Sequence, residues 1–335
     1  MLRPIARSIL AATLIASGAG AQAAPVKHIV TADGHPLAVW EKKAPKPKGA
    51  ILLLHGRTWS TLPDFDLQVP GDHRSLMDAL VARGYSVYGL DLRGYGATPR
   101  DKSDWDTPDR SVEDLSAALA WVAKNSGAPG KPALLGWSNG SMVSALLASG
   151  RHADQISVLI LTGYPHHPDS TIATLPDTAK PAHAKTTAKA AASDFIAPDA
   201  ISKKAVDIYV AAALKADPVR TDWKHAEQWN GIDPKRITVP TLLIQGELDP
   251  IAPTATQSAF FSRLGTADRE WIVMAGGDHA ALMENMQPAF VHSMINFIER
   301  PVWKRYGSAS GRNSRASSPS RPSLPWRASG LCRCR

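Results

Sequence analysis

Short apolar runs alternate with segments of helical periodicity along most of the chain. Six of these runs, several of which end in glycine, are typical of strands that are covered on both faces: residues 49–56, 85–94, 132–140, 156–163, 241–249 and 269–277. Between them, apolar residues recur every three or four positions, as in helices that pack one face on a sheet. The alternation predicts an α/β fold with a mostly parallel, doubly covered sheet.

Turn and cap residues predict where several elements begin and end. Asp33-Gly34 separates two alternating runs near the start of the chain, which predicts an antiparallel hairpin. Gly84 is placed to end one helix, and Asp199 is placed to begin another. Ser111 has an acid three residues later, which is the spacing of a capping box, and so predicts that a helix begins there.

One stretch interrupts the alternation of strands and helices. From about residue 166 to residue 239 no strand is indicated, while Ala, Lys and Pro are frequent. An excursion of this length between two strands of a compact domain is unusual unless it has a function of its own. It predicts a helical cap or lid inserted into the domain.

The first 23 residues have the parts of a secretory signal peptide. Arg3 and Arg7 precede an apolar run of small residues, which ends in the A-x-A pattern Ala21-Gln22-Ala23. The run is short for a membrane span, so we expect cleavage and no stable membrane insertion afterwards, with a buried N-terminal helix as the alternative. This interpretation predicts a secreted or periplasmic protein whose folded domain occupies residues 24–300.

The chain carries a net charge of +8, but the basic excess lies at its ends. Residues 301–335 hold eight Lys and Arg and no acid, and the first 23 residues hold two Arg, so the remainder has a charge of −2. No nucleic-acid-binding surface is therefore expected on the folded part. The basic tail is predicted to be disordered, either as a reading-frame artefact or as a native extension.

The stretch LLGWSNGSM places Ser138 between Gly136 and Gly140. It lies where a predicted strand ends and a predicted helix begins, the setting in which a catalytic serine occupies a tight turn. The two glycines leave room for that turn, and the helix that follows points its first N–H groups at developing negative charge. Ser138 is therefore the candidate nucleophile, with an ordinary serine in a glycine-rich loop as the alternative.

This motif and the upstream segment HGRTW resemble the α/β-hydrolase fold family over residues 26–300. The resemblance implies a serine, an acid and a histidine in that order along the chain. Asp249 ends the run TLLIQGELD and His279 follows the last predicted strand, so they are the implied acid and base. An N-capping role for Asp249 and a structural role for His279 are the alternatives. Asp169 is the second choice of acid, and Asp278 is a weaker one.

The same resemblance assigns the oxyanion hole to two backbone N–H groups, those of Arg57 and Asn139. Two such donors stabilise the tetrahedral oxyanion of acyl transfer. His55, in the same segment, is interpreted as a structural residue that braces the loop. The Arg57 side chain is expected to form a structural ion pair, with binding of a substrate carboxylate or phosphate as the alternative.

Three aromatic residues are candidates to line a substrate pocket. Trp59, Trp137 and Tyr164 lie at or near the carboxyl ends of predicted strands, where ligands bind in open α/β sheets. Packing in the core is the alternative for each of them, because large aromatic side chains are usually buried for their apolar area.

The resemblance thus implies a serine hydrolase that cleaves carboxylic esters of small molecules through an acyl-enzyme. Thioesterase, lactonase, amidase and acyltransferase reactions use the same three residues and stay open, as does a non-catalytic binding protein of the same fold. The sequence has no dinucleotide fingerprint, phosphate-binding loop or metal-ligand cluster. Neither a cofactor nor a metal is therefore expected.

Overall fold

The computed structural model of the chain describes residues 23–301. A central sheet of eight strands has the order β1-β2-β4-β3-β5-β6-β7-β8. The strands are β1 (Val26–Ala32), β2 (His35–Lys42), β3 (Ala50–Leu54), β4 (Ser86–Asp91), β5 (Ala133–Trp137), β6 (Leu159–Thr162), β7 (Thr241–Gly246) and β8 (Arg269–Met274). Strand β2 is antiparallel to both of its neighbours, and the other pairs are parallel. The predicted mostly parallel sheet is confirmed.

Eight helices accompany the sheet in the described part of the chain. They are α1 (Thr61–Phe65), α2 (Leu76–Ala82), α3 (Pro108–Asn125), α4 (Asn139–Ser149), α5 (Ala188–Ala192), α6 (Lys203–Ala216), α7 (Thr254–Arg263) and α8 (Gln287–Glu299). Short 3-10 helices occupy Ala153–Gln155, Ala226–Gly231 and Pro234–Arg236. Between residues 23 and 301, none of the helices combines the length and the apolar character needed to cross a membrane.

Alternate residues of β3 enter different apolar clusters, so the sheet is covered on both faces. Ile51 and Leu53 belong to the cluster that includes residues of α2 and α8, whereas Leu52 and Leu54 belong to the one that includes residues of α3 and α4. Successive side chains of a strand point to opposite faces, which explains this division. A run that is apolar at every position is therefore what a doubly covered strand requires.

The ends of several elements test the predicted turns and caps. Asp33 and Gly34 have φ angles of 48° and 72° and join β1 to β2 as a two-residue hairpin turn, as predicted. The prediction for Gly84 is also confirmed, because its φ is +89° and its N–H donates to the last turn of α2. The capping box at Ser111 is wrong. Helix α3 begins one turn earlier, at a proline that follows Thr107, whose side chain caps the helix.

The segment 166–239 lies between β6 and β7 and contains α5 and α6. Ser202 caps α6, so the predicted cap at Asp199 is wrong, and Asp199 instead has a φ of +60° in the preceding turn. A two-residue strand, Asp222–Trp223, pairs in parallel with Trp105–Asp106, where no strand was expected. Whether the segment acts as a lid stays a prediction.

Two further predictions concern the ends of the chain. The signal peptide, residues 1–23, and the tail, residues 301–335, lie outside the described residues except for one residue each. Cleavage of the first, disorder of the second and location outside the cytoplasm therefore stay predictions.

Candidate active site

Ser138 occupies a strained turn between β5 and α4. Its φ and ψ are 55° and −119°, and α4 begins at the next residue. A residue other than glycine in such a conformation costs roughly 1–3 kcal/mol, so the surrounding contacts must hold it there. One of them is the hydrogen bond that its backbone N–H donates to the Thr162 carbonyl, 3.0 Å away at the end of β6. Ser138 thus stands at the carboxyl end of β5, where it lines a cavity.

The two glycines of the motif are required by close packing. A Cβ atom on Gly136 would collide with the carbonyl oxygen of Gly140, and one on Gly140 would collide with those of Leu54 and His55. The first turn of α4 therefore lies directly against the ends of β3 and β5. This close approach is the physical reason for the Gly-x-Ser-x-Gly spacing.

His279 and Asp249 form a buried hydrogen-bonded pair. The Nδ1 atom of His279 lies 2.9 Å from Oδ2 of Asp249. The other oxygen of Asp249 accepts the backbone N–H groups of Ile251 and Ala252, at 2.8 and 3.2 Å, which fixes the carboxylate. A carboxylate can only accept, so Nδ1 carries the hydrogen and Nε2 is left as the basic nitrogen.

The imidazole of His279 is also held from its other sides. A Cβ atom on Gly163, which has a φ of +58°, would stand only 2.8 Å from Cε1 of His279. The Trp137 indole N–H donates to the His279 carbonyl at 2.8 Å, and the two rings are 5.5 Å apart. Gly163 and Trp137 thus restrict the position of the His279 ring.

The other two candidate acids lie in different surroundings. Asp169 forms a two-pronged ion pair with Arg263, at 2.6 and 2.7 Å, near the surface. Asp278 accepts the backbone N–H groups of Ile196, of Ala197 at 2.5 Å and of Ala280 at 2.8 Å. Of the three acids considered, Asp249 is the one whose carboxylate is hydrogen-bonded to the His279 ring.

A cavity of about 190 Å³ brings several of the candidate residues together. Its lining includes Ser138, His279, Trp59, Trp137 and Arg57, and also Gly56, Thr58, Asp64, Asp194 and Ile251. Tyr164 lies elsewhere, because its ring is fully buried and packs 4.3 Å from that of Phe260. The packing alternative therefore describes Tyr164, whereas the two tryptophans face the cavity.

The peptide between Gly56 and Arg57 is oriented by His55. One ring nitrogen of His55 lies 2.8 Å from the Gly56 carbonyl, and the other accepts the backbone N–H of Leu92 at 3.1 Å. Burial lowers the pKa of His55, which keeps the ring neutral, as these two bonds require. Because a trans peptide is planar, its N–H points away from its C=O. Anchoring the Gly56 carbonyl thus fixes the direction of the Arg57 N–H.

Neither of the two backbone N–H groups assigned to an oxyanion hole donates to another described residue. Those of Arg57 and Asn139 have no acceptor among the hydrogen bonds of residues 23–301. The Arg57 guanidinium lies over the Trp223 ring, 5.7 Å from its centre. The expected ion pair of Arg57 is absent from this part of the chain, and an aromatic contact takes its place.

Two acidic residues that line the cavity, Asp64 and Asp194, were not found from the sequence. Asp64 accepts the Gly56 N–H at 3.3 Å and the Tyr209 hydroxyl at 3.0 Å, and Asp194 accepts the Trp59 indole N–H at 3.0 Å. Burial raises the pKa of Asp64 well above its usual range and raises that of Asp194 as well. No sequence motif marks the positions of these two acids.

The described residues contain no group of three or more His, Cys, Asp or Glu that is arranged to hold a metal ion.

Comparison with known families decides how this site is classified. Residues 45–286 match the family described as serine aminopeptidase, S33. The chain belongs to this family of serine hydrolases. The S33 family has the α/β-hydrolase fold, so the resemblance noted in the sequence is confirmed. A comparison with curated proteins found no match.

Several solved structures share the fold of this S33 member. An esterase from Exiguobacterium antarcticum is 17% identical, with a TM-score of 0.59, and the match covers 82% of this chain and 100% of that one. A hydrolase from Pseudomonas aeruginosa is 20% identical, with a TM-score of 0.59 and coverage of 82% and 98%. The thioesterase domain from the curacin biosynthetic pathway is 17% identical, with a TM-score of 0.57 and coverage of 82% and 100%. At these identities the likeness concerns the fold alone.

Proposed function

We propose that this serine hydrolase cleaves carboxylic esters through an acyl-enzyme intermediate, with Ser138 as nucleophile, His279 as base and Asp249 as the acid that orients it. The observation that carries the proposal is the His279–Asp249 hydrogen bond beside a cavity that Ser138 and His279 line together. The family to which the chain belongs supports the same chemistry.

In the first half of the reaction, Nε2 of His279 takes the Ser138 proton as the hydroxyl oxygen attacks the ester carbonyl. The imidazolium that forms lies against the Asp249 carboxylate, which stabilises its charge. His279 then gives the proton to the departing alkoxide, and Ser138 carries the acyl group. In the second half, water loses a proton to His279 and attacks the acyl carbon. The bond to Ser138 then breaks, His279 returns the proton to the Ser138 oxygen, and the acid is released.

The negative charge of each tetrahedral intermediate requires donors that are already in place. The unoccupied backbone N–H groups of Arg57 and Asn139 support this role, and the second also lies at the N-terminus of α4. Loss of one such donor in comparable enzymes costs roughly 3–4 kcal/mol of transition-state stabilisation. We assign the oxyanion hole to these two groups.

The size of the cavity supports a small acyl group. At about 190 Å³ it is smaller than the ~300–1,000 Å³ of pockets that enclose drug-sized ligands. Its walls combine the apolar faces of Trp59 and Trp137 with the carboxyls of Asp64 and Asp194. We therefore propose short-chain esters as the first substrates to test.

The decisive experiment compares the wild type with Ser138→Ala on p-nitrophenyl acetate and butyrate and with a fluorophosphonate probe. Ser138→Ala is expected to lose turnover by more than roughly 10³-fold and to lose labelling, because no alkoxide can form. Ser258→Ala, which removes an exposed hydroxyl of α7, is the matched control and should retain both. Turnover or labelling that survives in Ser138→Ala would overturn the proposal.

A further inference from the structure

The peptide groups on both sides of the Arg57 Cα atom are anchored by side chains. His55 holds the Gly56 carbonyl on the N-terminal side. On the C-terminal side, the Tyr95 hydroxyl donates a short hydrogen bond to the Arg57 carbonyl. His55 therefore orients the peptide plane that carries the Arg57 N–H, and Tyr95 restrains the next plane, so that rotation about the Arg57 backbone is limited from both sides.

Tyr95 is fixed in turn by a residue from the segment 166–239. The Trp223 indole N–H donates to the Tyr95 hydroxyl oxygen at 2.8 Å. Burial raises the pKa of Tyr95, so the phenol keeps the proton that it donates to Arg57. The result is a directional chain from the Trp223 N–H to the Tyr95 O–H and on to the Arg57 carbonyl. Each hydrogen bond in such a chain polarises the next one.

Trp223 makes a second contact with the same residue. Its ring lies under the Arg57 guanidinium and stacks on Trp229, with a centroid separation of 6.0 Å. Trp223 itself does not line the cavity that holds Ser138 and His279. The contacts with Tyr95 and Arg57 connect Trp223 to the wall of this cavity.

We propose that Trp223 is a positioning residue, which sets the oxyanion-stabilising N–H of Arg57 through the hydroxyl of Tyr95. The inference rests on the proposed function and deepens it, because it makes the oxyanion hole depend on a residue of the segment 166–239. Trp223 touches no reacting atom. It acts by holding the Arg57 backbone in the conformation that the transition state requires.

The test uses Trp223→Phe, which removes the indole N–H but keeps a ring for the Arg57 contact. We expect kcat on p-nitrophenyl acetate to fall about 3- to 10-fold with KM changed less than about 2-fold, because the donor acts on the transition state. The preference for the oxo ester over the matching thiono ester should fall by a similar factor, because a sulfur anion fits an oxyanion hole poorly. A purely structural role would not move that preference.

Two further variants make the test specific to this chain of hydrogen bonds. Tyr95→Phe removes the middle hydroxyl and should reproduce the loss, and the double variant should lose no more than Tyr95→Phe alone, because both changes interrupt one chain. Trp271→Phe is the matched control. Its indole N–H is buried and has no hydrogen-bond partner among residues 23–301, and it lies on β8.

The outcomes separate this inference from the proposed function. Three results would overturn the role of Trp223. The first is that the losses of kcat in Trp223→Phe and Tyr95→Phe add fully in the double variant. The others are that Trp223→Phe changes only KM, or that it leaves the oxo-to-thiono preference unaltered. If Trp223→Phe does not fold, the oxo-to-thiono preference of Tyr95→Phe tests the inference by itself. The proposed function fails separately, if the wild type is not labelled at Ser138.

Discussion

The site joins two regions that are built by different physical means. The β5–α4 turn and the loops after β7 and β8 are set by tight backbone packing at the edge of an apolar sheet. A Cβ atom on Gly136 would collide with the Gly140 carbonyl, and one on Gly246 would collide with the Asp278 carbonyl. The segment 166–239 is attached both by apolar residues that belong to the core, such as Ile201 and Tyr209, and by side-chain hydrogen bonds. Asp217, for example, accepts the Ser60 N–H and hydroxyl and the Gly96 N–H, each at 2.8 Å.

The two regions should therefore respond to different changes, the first to added side-chain volume and the second to pH. A turn that is packed on backbone atoms tolerates almost no added volume, whereas a segment held by polar bonds depends on the charge and protonation of its anchors. Burial raises the pKa of Asp217 to about 6 and that of Glu284, beside Asp278, to about 8. Geometry therefore controls the first region, and ionisation affects the attachment of the second.

The largest expected effect is on kcat, and it tests the hydrogen-bonded pair of His279 and Asp249 in the region built by backbone packing. Asp249→Asn keeps the shape of the side chain, but the Ile251 and Ala252 N–H groups require the amide oxygen as their acceptor, so the amide NH2 faces Nδ1 of His279. Nδ1 must then accept, and Nε2 carries the hydrogen and is no longer basic. We expect kcat on p-nitrophenyl butyrate to fall by roughly 10³–10⁴-fold. Asp169→Asn, which breaks only the surface pair with Arg263, should stay within about 2-fold of the wild type. Equal activity in both variants would remove Asp249 from the triad.

The second effect tests the claim that geometry controls this region. Gly163→Ala places a Cβ atom 2.8 Å from Cε1 and 2.9 Å from Nδ1 of His279, so the ring must move. Because displacements near 1 Å cost on the order of 10²-fold in rate, we expect a fall in kcat of about 10- to 100-fold.

Gly130→Ala is the control for the backbone strain in Gly163→Ala. Gly130 also has a positive φ, +74°, but an added Cβ atom would meet nothing within 4 Å. Both variants should lose about 1 kcal/mol of unfolding free energy, measured in urea, and only Gly163→Ala should lose activity. Equal kcat values in the two variants would contradict the packing argument.

The third test concerns stability, and it addresses ionisation at the attachment of the segment 166–239. Glu284 accepts the Asp278 N–H at 3.1 Å, and Asp278 in turn holds the backbone of Ile196 and Ala197. Folding keeps a proton on Glu284 up to about pH 8, whereas the unfolded chain releases it near 4.5, the usual value for the group. Folding thus takes up a proton between these values, and the free energy of unfolding falls as the pH rises through this window.

Glu284→Gln removes this ionisation while keeping the shape of the side chain. Relative to the variant, we expect the wild type to lose on the order of 2–4 kcal/mol of unfolding free energy between pH 5 and pH 8.5. Urea unfolding at several pH values measures the difference. Glu270→Gln, at an exposed position of β8, should track the wild type at every pH. A constant gap between Glu284→Gln and the wild type would show that Glu284 ionises normally in the folded protein.

Sequence patterns predicted the first region far better than the second. The apolar runs located the parallel strands, and their order along the chain placed Ser138, Asp249 and His279 at one edge of the sheet, because the carboxyl ends of parallel strands meet there. The caps at Ser111 and Asp199 were predicted wrongly, because several polar residues compete to cap a helix and the packing of the helix selects among them.

The sequence by itself indicated the tight turn at Ser138, because Gly136 and Gly140 mark it within five residues. The contacts that make Gly140 necessary, with the carbonyls of Leu54 and His55, belong to the tertiary structure. Only the tertiary structure decided that Arg57 stacks on Trp223 and that Tyr95 links the two. The Tyr95 and Trp223 partners are separated by 128 positions. No periodicity or short motif encodes such a pairing, since it depends on where the segment 166–239 meets the sheet, and that is set by the packing of the whole domain.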